Sequence, residues 1–193
     1  MTVDVDRETN ARLIPPGSWQ IDSAHSSIEF QAKHLMIAKV KGRFREFAGA
    51  LEAGEDGTLT ASGTIQTASI DTDEPRRDEH LRSADFFEVD AYPEIAFFST
   101  SIAPIGGTGF RVVGDLSIRG VTKPITLTGG VEGTGRDPYG NDRVALELRG
   151  ELNRSDFGLT WNQALETGGV VVGDTIKLEL ELSLVKPVRA ANR

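Results

Sequence analysis

The sequence predicts an all-β protein in which about eight antiparallel strands close into a barrel. Apolar and polar side chains alternate with a period of two along most of the chain, as in strands with one face in a core. Short glycine-rich turns separate consecutive strands, which favours antiparallel neighbours. Several alternating runs are longer than the usual strand of about 5 to 6 residues, and long meandering strands favour closure.

The N-terminal half contains the weaker strand patterns and one helix. We predict these strands at residues 19–21 leading into 28–36, at 40–51 and at 59–70. A turn at 54–57, with glycine at both ends, separates the last two. A short helix insertion follows, because Asp73 is suited to cap a helix and Pro75 fits its first turn.

The C-terminal half shows the clearest alternation. We predict its strands at residues 94–102, 110–118, 123–132, 144–153 and 175–185. In three of these, 110–118, 144–153 and 175–185, every second residue is apolar or glycine and most of the others are polar. This pattern is typical of a strand that places one face in a core.

Glycine stands in line with inward-facing apolar residues at Gly42, Gly63, Gly114 and Gly150. One such glycine is more typical of a bulge or a bend. Four together indicate an interior with unfilled volume. An eight-stranded barrel can either be filled by its side chains or hold one small ligand, and the glycines favour the second arrangement.

Length and composition predict a single globular domain, since the 193 residues are 38% hydrophobic and 26% charged. We expect a flexible N-terminal tail at 1–16, a barrel domain at 17–186 and a C-terminal tail at 187–193. The net charge of −8 argues against nucleic acid as a partner. The absence of cysteine suits a reducing compartment. Acidic residues stand where a secretory signal needs a basic start, so we expect a cytoplasmic protein.

The sequence offers little support for a metal, a cofactor or a nucleophile. Its three histidines, His25, His34 and His80, lack the close spacing that zinc sites use. No Gly-x-Ser-x-Gly motif is present. The glycine-rich stretch at 105–110 joins two strands, whereas a phosphate loop precedes a helix. We therefore predict no metal and no cofactor.

His34 and the aromatic residues are the candidate binding residues. His34 falls in line with Ile28, Phe30 and Ala32, on the apolar face of its strand. A buried imidazole needs a polar partner, which could be another core group, a water or the head of a ligand. The nine phenylalanines lie in or beside the strands and belong to the core by default. If some of them faced an open lumen, they would suit a long apolar ligand.

A basic stripe is predicted on the outward face of the second long strand. It consists of Lys39, Lys41, Arg43 and Arg45. Such a stripe mainly favours solubility, but it could also direct transient contact with an anionic membrane surface.

Five blocks of the sequence resemble the YceI-like family. They read WQIDSAHSSIEFQAKHL at 19–35, GTIQTASIDT at 63–72, RRDEHLRSADFFEVDAYPEIAFFST at 76–100, GDLSIRGVTKPITL at 114–127 and NRSDFGLTWNQALETGGVVVGDTIKLELELSLV at 153–185. The resemblance covers about residues 17–186 in order. The residues at the recurring positions of the family are His25, His34, Arg77, Asp78, His80, Leu81, Arg82, Phe86, Phe87, Asp156, Phe157 and Trp161.

The resemblance implies an extended, lipocalin-like barrel that binds a long-chain polyisoprenoid or similar amphiphile and has no established catalytic residues. Many members carry a signal peptide, and the polar N-terminus departs from that pattern. We infer the residues that would contact the ligand to be Phe30, His34, Phe44, Ile65, His80, Phe86, Phe97, Phe110 and Trp161.

Three functional hypotheses follow. The preferred one is the carriage or storage of a polyisoprenoid, quinone-like or amide lipid by a protein that is not an enzyme. The second is an enzyme acting on an isoprenoid or a small ester, with His34 or His80 as the acid–base group. The third is a stress-related interaction module with a filled barrel. The sequence leaves the oligomeric state open, with a homodimer as one arrangement.

Overall fold

The computed structural model describes residues 13–166 and 168–187. Over these residues the chain forms eleven strands and one α-helix, α1. Their bounds, in chain order, are β1 Gly17–Ile21, β2 Ser27–His34, β3 Ala38–Phe44, β4 Phe47–Ala53, β5 Leu59–Gln66, β6 Ile70–Asp71, α1 Pro75–Arg82, β7 Glu94–Gly106, β8 Gly109–Ile118, β9 Val121–Arg136, β10 Asp142–Asn153 and β11 Thr175–Lys186. None of the helices in these ranges is long and apolar enough to span a bilayer.

The strands form the predicted eight-stranded antiparallel barrel, because three of its eight wall segments, β1 with β2, β3 with β4 and β5 with β6, consist of two strands each. β1 and β2 both pair with β11, one after the other along its length. On their other side, β3 pairs with β2 and β4 pairs with β1. From β4 the wall continues through β5, β7, β8, β9 and β10 to β11. Pairing of Ile21 with Leu184 closes the ring. The predicted fold class is therefore confirmed.

Two predicted strands are interrupted where the wall bends. The strand expected at 40–51 is divided at residues 45–46 into two strands. The first, β3, pairs with β6, and the second, β4, pairs with β5. The strand expected at 59–70 breaks at a 3₁₀ turn, Thr67–Ser69. The apolar positions change from even to odd numbers between Phe44 and Phe47, and from odd to even between Ile65 and Ile70. The sequence therefore marked both breaks, and the predicted strand bounds overlooked them.

Pro75 lies in the first turn of the helix, as predicted, but the N-cap residue is Glu74 and not Asp73. The Glu74 carboxylate accepts hydrogen bonds from the backbone N–H groups of Arg76 and Arg77. Asp73 lies one residue earlier with a φ of 60°. The prediction of Asp73 as the cap was therefore wrong.

The core divides into two clusters, one at each end of the barrel. We call the first the Trp19 end, where Trp19 and Val144 are each 1% exposed. We call the second the helix end, where Phe86 and Phe157 pack near α1. The predicted tails at 1–16 and 187–193 lie outside the described residues except for 13–16 and 187. Within that exception, Ile14 is buried in the first cluster.

An ionic cluster fastens the β9–β10 turn to the start of the chain. The Asp137 carboxylate accepts hydrogen bonds from the Tyr139 and Asn141 backbones, the Asn141 amide and the Arg143 guanidinium. These bonds, led by the Asn141 amide, lower the pKa of Asp137 to about 2. Arg143 also donates to Asp22 at 2.6 Å, and this hydrogen bond lowers the pKa of Asp22.

We expect the Asp137 contribution to stability to disappear in acid. Because its pKa is lower in the folded chain than in the unfolded one, its contribution is complete above about pH 4 and falls as the pH drops toward about 2. Asp137→Asn should flatten this part of the curve when the free energy of unfolding is measured by urea titration at a series of pH values.

The matched control is Asp115→Asn, which changes an exposed carboxylate that forms no hydrogen bond with the described residues. It should leave the acid limb of the curve as it is in the parent. Equal slopes for the parent and the Asp137→Asn variant below pH 4 would contradict the role given to this cluster.

Candidate ligand-binding cavity

The barrel encloses a cavity of about 230 Å³ toward its helix end. Inward-facing side chains of β2, β3, β5, β7, β8, β9 and β11 line it, together with residues of α1 and the segments around it. Almost all of these side chains are apolar, and the charged members are Glu29 and Arg154. An apolar cavity of this kind does not hold water well and favours an apolar ligand.

A second chamber of about 100 Å³ continues the lumen toward the Trp19 end. Phe110, Leu146 and Leu184 are among the residues that line it. The two chambers share the residues Ile21, Phe97, Leu127, Leu180 and Leu182. The lumen therefore contains two apolar chambers, one behind the other, with a shared wall between them. A filled barrel, the third hypothesis, does not agree with this space.

Two of the four inward-facing glycines support aromatic rings. A Cβ atom placed on Gly42 would collide with the ring of Phe30, and one placed on Gly114 would collide with the ring of Phe97. The rings thus lie directly on the backbone of the wall. The expectation that these two glycines leave empty volume was wrong, because a phenylalanine occupies the space above each of them.

The other two glycines differ from each other. A Cβ on Gly150 would meet Leu127 Cδ2 at 2.6 Å, so that position is also filled. A Cβ on Gly63 would meet only the Ala48 carbonyl oxygen, at 3.4 Å. Gly63 also lines the larger chamber and pairs with Phe97. Of the four, Gly63 is the one that leaves room in the lumen.

The structure brings most of the predicted binding residues to the lumen. Phe30, Phe44, Ile65, Phe86 and Phe97 line the larger chamber. Phe110 lines the smaller one. The remaining three, His34, His80 and Trp161, lie at the helix end outside both linings.

His34 stands at the rim of the helix end. The last β2 residue that lines the chamber is Ala32, two positions earlier. His34 forms an isolated bridge with Val172, which does line the chamber. The imidazole is therefore adjacent to the lumen, and its contact with a ligand stays a prediction.

His80 forms a polar and aromatic cluster over the same end. Its Nε2 lies 2.8 Å from Asp85 Oδ2. Its ring meets the rings of Trp161 and Phe86 edge to face, with centroids 4.7 and 5.1 Å apart. Phe86 faces the chamber, so His80 lies directly behind the lining. Residues 13–166 and 168–187 contain no group of three or more histidine or acidic side chains placed to hold a metal.

Arg154 is a buried cation that sequence analysis missed. It is 3% exposed and lines the larger chamber. Its guanidinium donates to the carbonyl oxygens of Leu159, Trp161, Val172 and Gly173 at 2.7 to 3.3 Å. One side chain thereby ties together both ends of the segment that covers this side of the helix end.

Asp174 completes the surroundings of Arg154. Its carboxylate lies 3.2 Å from the Arg154 guanidinium. Burial lowers the pKa of Arg154, and the Asp174 charge acts in the opposite direction. The four carbonyls and Asp174 together account for the five N–H groups of the guanidinium. Arg154 is thus engaged in holding the segment. The alternation of β10 ends at Asn153, so period analysis contained no signal for the next residue.

Comparison with known proteins gives a family and a set of similar barrels. A family model described as the YceI-like domain matches residues 19–184. A UPF0312 protein of Staphylococcus aureus is 42% identical over 165 residues, which cover 84% of this chain and 94% of the relative.

Among solved structures, BcnA of Burkholderia cenocepacia superposes with a TM-score of 0.73 at 24% identity, covering 86% of this chain and 99% of BcnA. The YceI protein of Campylobacter jejuni gives 0.69 at 28% identity, covering 81% and 90%. A polyisoprenoid binding domain from Saccharophagus degradans gives 0.64 at 16% identity, covering 88% and 98%. The barrel described above therefore has the same fold as these proteins.

We expect Gly114→Ala to destabilise the fold, because the added methyl group would collide with the Phe97 ring and lie 2.6 Å from the Phe98 carbonyl oxygen. Overpacking of this kind costs about 1 to 3 kcal/mol. Gly63→Ala is the matched control, since its methyl group meets no atom closer than 3.4 Å. Thermal melts of both variants check the pair, and a Gly114→Ala variant as stable as Gly63→Ala would contradict the packing of Phe97 on Gly114.

Proposed function

The chain belongs to the YceI-like domain family, and we propose that it binds and carries a long-chain polyisoprenoid or similar amphiphilic lipid in its lumen. The observation that carries this proposal is the elongated apolar lumen, with chambers of about 230 and 100 Å³ that share one wall. Together the chambers lie at the lower end of the range of about 300–1,000 Å³ that is usual for ligand pockets. The polyisoprenoid binding domain of Saccharophagus degradans, which has the same fold, supports the choice of ligand class.

The energetics of the lumen favour a chain-like ligand over a compact polar one. Each CH₂ group that leaves water contributes about 0.8 kcal/mol, so ten carbons contribute roughly 8 kcal/mol before the costs of ordering. A branched isoprenoid chain could pass from the larger chamber to the smaller one along Phe97. The apolar lining would bind such chains tightly without distinguishing closely related ones.

The polar head of the lipid would lie at the helix end. The lining between the two chambers offers no polar group to the head, whereas His34 stands at the rim beside the larger chamber. Arg154 is occupied by backbone carbonyls and Asp174, so it would shape the opening without binding the head directly. We infer that a neutral head group, such as a hydroxyl, an amide or a quinone ring, fits the His34 imidazole, and contact of His80 with the ligand stays a prediction.

We propose a binding protein and not an enzyme. The pairing of His80 with Asp85 is the observation that favours the alternative, because an acid–base histidine is commonly oriented by a carboxylate. His80 lies behind Phe86 and outside both linings, away from a chain in the lumen. Turnover of a prenyl ester by the parent but not by His80→Gln would establish the enzyme instead. A cytoplasmic location and a homodimer stay predictions.

We expect the purified protein to retain an added polyprenol through gel filtration, and mass spectrometry of an organic extract to detect it. Gly63→Leu should reduce the retained lipid severalfold, because its side chain would extend into the larger chamber beside Phe97. An added Cβ at residue 63 lies at an ordinary van der Waals distance from its nearest atom, and a thermal melt of the variant checks that it remains folded.

The control for this measurement is Gly63→Ala, which adds one methyl group and should retain most of the lipid. A parent protein that binds no added polyprenol and yields no apolar molecule on extraction would overturn the proposed function. Equal retention by the parent and Gly63→Leu would show that the lipid lies elsewhere.

A further inference from the structure

The turn between β2 and β3 exposes three large apolar side chains in succession. Leu35, Met36 and Ile37 are 38%, 50% and 86% exposed. Single apolar residues are common on protein surfaces, but three adjacent ones at the tip of a projecting hairpin form a continuous apolar apex. We call residues 35–37 the apolar tip.

The backbone of the apolar tip is strained. The N–H of Ile37 donates to the His34 carbonyl, and the two residues between them, Leu35 and Met36, have φ values of 51° and 60°. Tight hairpin turns with two positive φ angles strongly favour Asn-Gly. Leucine and methionine therefore make this turn less stable and more apolar than the residues that suit it best. Strain without a local benefit points to a function for the side chains.

Uncompensated positive charge surrounds the apolar tip. Lys33 and Lys39 pair directly across the hairpin, and Lys41 stands opposite Gln31. All three lysines are exposed, and none forms an ion pair with the described residues. Like charges that face each other across two strands destabilise the pair. A local group of three lysines on a chain of net charge −8 calls for an anionic partner.

The rest of the predicted basic stripe does not share this property. Arg43 and Arg45 both form ion pairs with Asp71, and Arg43 also pairs with Asp73 at 3.0 Å. The free positive charge is thus confined to the end of the hairpin that carries the apolar tip.

The apolar tip lies at the helix end of the lumen. Immediately before it, His34 bridges Val172, and the Leu35 N–H donates to the Val171 carbonyl at 2.8 Å. Ala32 and Val172 line the larger chamber. The tip therefore projects beside the chamber and away from the closed Trp19 end.

We propose that the apolar tip inserts into an anionic phospholipid bilayer while Lys33, Lys39 and Lys41 bind the lipid phosphates. Lys39 lies two residues behind Ile37, a distance of roughly 7 Å along a strand. This matches the depth of about 5–10 Å to which interfacial apolar groups enter a bilayer, with the phosphates above them. Exposed apolar side chains flanked by unpaired lysines match the two layers of an anionic membrane surface, its acyl chains and its phosphates. Docking of the apolar tip rests on the proposed function in one respect only: the molecule exchanged at the membrane would be the lipid carried in the lumen.

The test is flotation of the full chain with vesicles of equal parts phosphatidylcholine and phosphatidylglycerol, compared with phosphatidylcholine alone. We expect binding to the anionic vesicles, weakened by salt. Each of Lys33→Gln, Lys39→Gln and Lys41→Gln should weaken it about fivefold, as expected for the loss of one charge near the surface. Leu35→Asn combined with Met36→Gly should weaken it by roughly tenfold or more, since apolar side chains would no longer leave water.

The same double variant should melt at the parent temperature or above it, because it relieves the strain of the turn. This separates a loss of membrane binding from a loss of folding. Ile105→Thr, which changes an exposed apolar residue on the β7–β8 hairpin at the other end of the barrel, is the control and should bind vesicles as the parent does.

Absence of vesicle binding by the parent, or undiminished binding by the double variant, would overturn the docking proposal. Either result would leave the proposed lipid carriage standing if the protein still retained polyprenol. Vesicle binding that depends on the tip in a protein that retains no polyprenol would support docking and overturn lipid carriage. The two proposals therefore fail by different measurements.

Discussion

The structure depends on the way β11 closes the sheet. One edge of β11 pairs with β10 along its whole length, and the other edge is divided between β2 at residues 177–181 and β1 at residues 184–185. Asp22 and Ser26 bridge the break between those two partners, because the Asp22 N–H donates to the Ser183 carbonyl and Ser26 Oγ accepts from the Ser183 N–H. Along β11 the wall therefore has no free edge, and this closure is what makes the sheet enclose a lumen.

The size of the lumen depends on aromatic rings that lie directly against the backbone of the wall. Gly42 and Gly114 permit Phe30 and Phe97 to approach the wall, so the rings line the cavity instead of crossing it. A side chain at either glycine would push its ring inward. The glycines therefore preserve the cavity indirectly, by letting large residues occupy the periphery, and Phe97 lies in the wall that the two chambers share.

The sequence was sufficient for the barrel because alternation with a period of two depends only on which face meets the core. It was insufficient wherever contacts between residues distant in sequence determine the local structure. The alternation does shift by one residue at the bend between β3 and β4, but nothing in the sequence shows that the partner of Gly114 is a ring on another strand. Arg154 is stabilised by carbonyls up to 19 residues away along the chain. The turn at Leu35 could not be predicted, since neither it nor Met36 favours a positive φ. At the cavity, six of the nine predicted residues, five phenylalanines and Ile65, line the chambers, whereas the two histidines and Trp161 lie behind or beside the lining.

The larger chamber lies where the hydrogen-bonded wall is incomplete. β3 has only the two-residue strand β6 on its outer edge, and β5 ends at Gln66. Beyond these strands the chamber is covered by Leu81 of α1 and by Phe86 and Phe87, which follow it. Arg82 attaches the helix by donating to the Ala68 and Ile70 carbonyls. Packed side chains and a few such bonds separate more easily than a ladder of strands. The wall is thus weakest beside the larger chamber, and a chain-like ligand could enter there without breaking the pairing that closes the barrel.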